Sequence, residues 1–217
     1  IDMNAISLKN TIEILKRNDT HKSKVVDFVK RADLYLDDIG YSNVDEISYD
    51  KIFETAEIKN MPAIIKDRVV EELGLFSVYR GQSVTSVLFD SMGTRKITAI
   101  ASYIINALEK GRIIVIDELD SSIHFKLTRA IVSMFNNELN KFAQLIFTVH
   151  DINLMDCKRL LRKEQIWFVH KDKQRVYLYS LSQFTAQQGV RDTTDIIEKY
   201  KKGALTNPDW KSKVPFY

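Results

Sequence analysis

Ile113-Ile114-Val115-Ile116-Asp117-Glu118 is the stretch on which the fold turns. Four β-branched residues in a row read as a short strand buried on both faces, as in parallel sheets. Two carboxylates follow at its C-terminal end, the edge where open α/β sheets bind ligands. At a phosphate-handling site the first, Asp117, can hold Mg2+ through its waters. The second, Glu118, can orient or deprotonate a water. An ordinary strand with an acidic turn has the same six letters, so the flanking residues must decide.

Downstream, Leu119-Asp120-Ser121-Ser122-Ile123-His124 leads into a helix from Phe125, with apolar positions Leu127, Ala130, Ile131, Met134 and Phe135. His124 stands where it could cap that helix. Upstream, Ser91-Met92-Gly93-Thr94-Arg95-Lys96 opens a long amphipathic helix. Its apolar positions Ile97, Ile100, Ala101, Ile104, Ile105 and Leu108 follow helical spacing, and Gly111 marks its end. Backbone N–H groups at such a helix start, with the positive end of the dipole, suit an anion. A plain N-cap uses the same residues. One helix beyond the acidic pair, Gln144–Val149 reads as a second buried strand, and Thr148-Val149-His150-Asp151 closes it.

Further out, Phe76–Tyr79 and Val84–Phe89 read as short strands. Gln165–Val169 and Val176–Tyr179 read as a hairpin around Lys171–Gln174, and a terminal helix is expected near Thr193–Lys201. Residues 1–74 are charged and mostly helical in pattern, with a loop expected over Asp37–Tyr49 around Gly40. The expectation is an α/β fold: a lobe over 75–217 with a mainly parallel central sheet flanked by helices, preceded by a helical insert subdomain over 1–74.

Composition sets bounds. Of 217 residues 45% are hydrophobic and 28% charged, enough for a core and unlike a disordered chain. A net charge of +3 is too small to argue for nucleic acid by itself. The basic clusters Lys158–Lys163, Lys171–Arg175 and Lys199–Lys202 read as solvated surface. Cys157 is the single cysteine, which excludes an internal disulfide and fits a reducing, cytoplasmic setting. No apolar run approaches the roughly 20 residues of a membrane span, and no secretory pattern is present.

Asp117–His124 with its helix resembles the Walker B and D-loop of ABC-type ATPases. The match is to the form found in ATP-binding proteins of bacterial abortive-infection and anti-phage systems, which are related to OLD-like, chromosome-maintenance and break-repair heads. His124 replaces the Asp usual in transporters. Ser91–Thr94 resembles the ABC signature in its S-x-G-T form. Thr148-Val149-His150 resembles the switch-histidine strand. Glu164–Asp172, Leu178–Phe184, Arg31–Ile39 and the Tyr200, Gly203, Ala204 tail with Pro208 or Pro215 are similar to stretches of the same branch. The resemblance covers residues 28 to 205.

It implies a protein that binds and hydrolyses ATP with Mg2+. Asp117 would serve the metal, and Glu118 and His150 the catalysis. Ser91, Gly93 and Thr94 would contact a partner's nucleotide. Asp120, Ser121 and His124 would complete the D-loop. It also implies a homodimer or higher homo-oligomer through the nucleotide interface and a separate effector, a nuclease or toxin. Nucleic acid is compatible as a further partner; a membrane is not expected. A break-repair type DNA-binding head is the alternative, although residues 1–74 show no sustained heptads. A metal-dependent nuclease built on Asp117, Glu118, Asp120, His124 and His150 is another, but it leaves Ser91–Thr94 unexplained.

The seven glycines, at 40, 74, 81, 93, 111, 189 and 203, include none that opens a G-x-x-x-x-G-K-[ST] phosphate loop. With Ile1 at the start, the expectation is the C-terminal half of a longer ATPase head. Isothermal titration of these 217 residues with Mg-ATP is expected to show no micromolar binding.

Overall fold

A computed structural model of the chain describes residues 1–17, 19–32, 35–43, 62–155, 160–171, 173, 175–184, 190 and 195–205. Cys157, Pro208, Pro215 and residues 44–49 of the expected loop lie outside the described residues. The chain divides into two compact units, one of 1–128 and 138–149, the other of 129–137 and 150–217.

The first unit is built around one helix. α1 (Lys9–Leu15) and α2 (Thr20–Ala32) both pack on α5 (Met92–Lys110). The expected stripe on α5 is buried at Ile97, Ile100, Ala101, Ile104 and Ile105, and Ala99 and Ala107 join it. The ends follow from local chemistry. The Ser91 hydroxyl accepts the Thr94 N–H, and Gly111 closes the helix in the left-handed region at φ 61. Thr11 ties α1 to this core through a 2.7 Å bond from its hydroxyl to the Thr98 carbonyl.

A three-stranded antiparallel sheet, β1 (Asp38–Tyr41), β2 (Leu75–Tyr79) and β3 (Gln82–Thr85), stands beside α3 (Ala63–Leu73) and the helical turn α4 (Ser86–Phe89). Two expectations change here. Gly40 lies in a strand and not a loop, because it faces Phe76 across the pair; a Cβ on Gly40 would come within 2.4 Å of that ring. The strand expected over Val84–Phe89 stops at Thr85. Asp90 gathers the hydroxyls of Ser77 (2.7 Å), Tyr79 (2.8 Å) and Ser86, and its N–H bonds the Ser86 carbonyl, which curls the chain into α4. Arg80 and Gly81, at φ 51 and 75, form the two-residue turn from β2 to β3.

β4 (Ile113–Ile116) and β5 (Gln144–Phe147) form the parallel pair. α5 covers one face of β4, so Ile114 and Ile116 are buried. Ile113 and Val115, expected to be buried too, are exposed on the other face at 63% and 55%, and β5, expected as a buried strand over Gln144–Val149, ends at Phe147 with Ile146 exposed. α6 (Phe125–Phe135) follows β4 in the chain.

In the second unit, β6 (Trp167–Lys171) and β7 (Val176–Ser180) make the expected antiparallel hairpin. Alternation puts Phe168 and Tyr179 into a core with Leu181, Phe184, Ile196 and Leu205, while Trp167, Val169, Val176 and Leu178 face outward. α7 (Ile196–Lys201) lies within the helix expected near Thr193–Lys201 and is capped by Asp195. No described helix is long and apolar enough to cross a membrane.

Gly111→Val combines a left-handed backbone with a Cβ that would meet Phe142 at 2.7 Å. It is expected to cost about 2 kcal/mol, read as a lower denaturation midpoint.

Candidate functional site

The register of β4 on β5 determines what the site can contain. Ile116 pairs with Phe147, and beyond the strands Thr148 N–H bonds the Ile116 carbonyl at 3.0 Å while Leu119 N–H bonds the Thr148 carbonyl at 3.0 Å. Asp117, Glu118 and Thr148 therefore emerge at one edge. The Thr148 hydroxyl donates to Asp117 Oδ1 and accepts the Glu118 N–H at 2.8 Å. One hydroxyl thus orients the first carboxylate and anchors the backbone of the second. That anchor holds Glu118 in the left-handed region at φ 53, a conformation costing a non-glycine residue about 1–2 kcal/mol. Such strain persists only where surrounding bonds impose it.

The other flank of Asp117 is paired as well. Ile1–Met3 runs beside it in parallel: Asp117 N–H bonds the Ile1 carbonyl at 2.7 Å, and Met3 N–H bonds the Asp117 carbonyl at 3.2 Å. Next in the chain, Asn4 Nδ2 donates to Glu118 Oε2 at 2.6 Å. Nothing in the sequence marks Asn4, 114 positions from its acceptor; only the strand pairing reveals it.

After Glu118 the chain makes two tight turns. Ser121 N–H bonds the Glu118 carbonyl and Ile123 N–H the Asp120 carbonyl. Leu119, wholly buried, pins the first turn, and Ser122 at φ 61 shapes the second. His124 precedes α6, and its Nδ1 accepts the Lys126 N–H at 3.3 Å. Here the histidine caps a helix.

The start of α5 sits against this turn. A Cβ on Gly93 would come within 2.8 Å of the Ser122 carbonyl oxygen, so only glycine allows the approach. Three residues on, Lys96 is 8% exposed, and its ammonium bonds Ser121 Oγ at 2.9 Å and the Ser121 carbonyl at 3.2 Å. Thr94 is buried, and its hydroxyl lies 2.9 Å from that of Ser91.

The structure thus assembles two groupings within the first unit. Asp117 and Glu118 meet Thr148 and Asn4. Gly93 and Lys96, next to Ser91 and Thr94, meet the turn of Asp120, Ser121 and Ser122. His150 opens the second unit, where it is exposed and where its neighbour Asp151 caps the short helix Ile152–Leu154.

Among the described residues no three His, Cys, Asp or Glu side chains gather as a metal cage. The edge carboxylate of Asp117, backed by the Thr148 hydroxyl, suits Mg2+, which keeps several waters and takes its remaining oxygens from phosphates.

Thr148→Val keeps the shape of the side chain and removes both hydroxyl bonds. It is expected to cost about 1 kcal/mol in chemical denaturation, and Thr148→Ser is expected to recover most of the loss.

Residues 5–156, which include every site residue named above except Ile1–Asn4, match a family model described as "AAA domain, putative AbiEii toxin, Type IV TA system". No curated protein matches the chain. Spanning more than two thirds of the sequence, the match shows that the chain belongs to this family of AAA-type, nucleotide-binding ATPase domains, which as a class work with ATP and Mg2+.

Proposed function

We propose that the chain is the signature- and Walker B-bearing part of an ATP-driven switch in an abortive-infection or toxin–antitoxin type defence system. The observation that carries the reading is the Thr148 hydroxyl joining Asp117 to the backbone of Glu118 at the C-terminal edge of a parallel strand pair. That edge is where α/β nucleotide sites lie, and the family description agrees with it. In this reading residues 1–74 are the helical insert and 75–217 the ATPase lobe.

Bound Mg-ATP would supply the phosphoanhydride bond and a divalent charge. Asp117 would hold the cation through its waters. Glu118 takes the proton from the attacking water as its oxygen bonds the γ-phosphorus and the bond to the bridging oxygen breaks. His150 contacts the γ-phosphate. Ser91, Gly93 and Thr94 face the nucleotide of a second copy, and Asp120, Ser121 and His124 line the contact between copies. The β- and γ-phosphates would need a G-x-x-x-x-G-K-[ST] loop, which these 217 residues do not contain. Nucleotide turnover then governs a homodimer that restrains or releases a separate effector, a nuclease or toxin, in the cytoplasm.

Glu118→Gln in the ATP-hydrolysing protein is expected to lower turnover at least about 100-fold and to accumulate ATP-bound dimers in light scattering. Hydrolysis at the native rate would remove Glu118 from its role.

A further inference from the structure

A nearly buried lysine demands partners, because an unpaired ammonium away from water is costly. Lys96 finds oxygens that carry no full charge: Asn4 Oδ1 at 3.3 Å, the Ser121 carbonyl and hydroxyl at 3.2 and 2.9 Å, and Ser122 Oγ at 3.5 Å. Ser121 Oγ also donates to Asn4 Oδ1 at 2.7 Å. An ammonium can only donate. The Asn4 amide must therefore turn its oxygen toward Lys96 and Ser121 and its nitrogen toward Glu118, which it meets at 2.6 Å. A cation on the carbonyl side of an amide polarises it and strengthens its N–H as a donor. The result is a relay from the α5 ammonium, through one amide, to the carboxylate at the end of β4.

We propose that Asn4 is a positioning residue for the Glu118 carboxylate, oriented by Lys96 and Ser121. The inference rests on the reading of Glu118 as the group that handles the attacking water. Asn4 supplies the donor that keeps one carboxylate oxygen occupied and the other directed. Glu118 needs such restraint because its left-handed backbone, φ 53, lifts it out of the strand ladder that would otherwise aim it. Lys96 lies on the helix that begins at Ser91, so the aim of the carboxylate is tied to the seating of that helix start against Ser121 and Ser122.

The test has two arms. In the nucleotide-free 217-residue chain, the Asn4 side-chain amide protons are observed by NMR. One proton bonded to a carboxylate is expected well downfield of its twin, and Glu118→Ala is expected to bring the two together; a pair indifferent to Glu118→Ala overturns the proposal. In the ATP-hydrolysing protein, Asn4→Ala is expected to lower kcat about tenfold, the worth of one charge-assisted bond, with KM for ATP unchanged within about twofold. Asn4→Asp keeps the acceptor for Lys96 but offers Glu118 an oxygen, and is expected to fall at least as far. In a Glu118→Gln background, Asn4→Ala is expected to add less than about twofold. If Glu118→Gln is slow and Asn4→Ala turns over at the native rate, or changes KM alone, the positioning role is overturned while the reading of Glu118 stands. If Glu118→Gln turns over normally, the reading of Glu118 fails first and takes the inference with it.

Discussion

The pairing of β4 with β5 in parallel, one residue short of the acidic pair, is the constraint on which the site depends. Parallel register carries both strands to the same edge in step. Thr148 and Asp117 thereby leave the sheet side by side, and one hydroxyl can serve two neighbours. A slip of one residue would turn every side chain of β5 to the opposite face. It would carry the hydroxyl away from both Asp117 and Glu118. Register here is held by the buried residues of β4, Ile114 and Ile116, on the face covered by α5. The chemistry at the edge is thus specified by packing at some distance from it.

The strained backbone belongs to the same logic. Glu118 and Ser122 both occupy the left-handed region, four residues apart, around a wholly buried Leu119. Burial of that leucine and the bonds of Thr148 offset the local cost. What they secure is a turn that presents a carboxylate at one end and a backbone carbonyl at the other. Against that carbonyl rests Gly93, and against the next hydroxyl and carbonyl back rests Lys96. The acidic strand end and the helix start at Ser91 meet at this turn.

Much of this was readable in the sequence wherever the determinants are local. α5 announces both its ends, Ser91 by its capping hydroxyl and Gly111 by its left-handed backbone, and its stripe by helical spacing. The β4 and β5 strands, the acidic pair and the β6–β7 hairpin were legible for similar reasons. What escaped depends on partners far along the chain. Gly40 looks like a loop glycine, but the Phe76 ring is what requires it. Ser86 reads as strand until Asp90 collects its hydroxyl. The exposure of Ile113 and Val115 depends on which helices cover β4, a property no run of apolar letters encodes. Asn4 is a single polar residue in an unremarked segment, and its acceptor lies 114 positions away. The family match adds a class of activity to this picture and leaves the individual roles to be argued from geometry.

The contact between Gly93 and Ser122 has a consequence for how such a site varies over evolutionary time. It joins an absent Cβ to a main-chain oxygen, so no side-chain chemistry is exchanged across it. Position 93 is frozen by sterics, whereas position 122 is limited by its own left-handed backbone, φ 61, and by the Lys96 ammonium at its hydroxyl, not by the touching atom. Two positions coupled in this way leave no paired substitutions behind them. A statistical comparison of sequences would register two separately constrained positions, although the two are in direct mechanical contact.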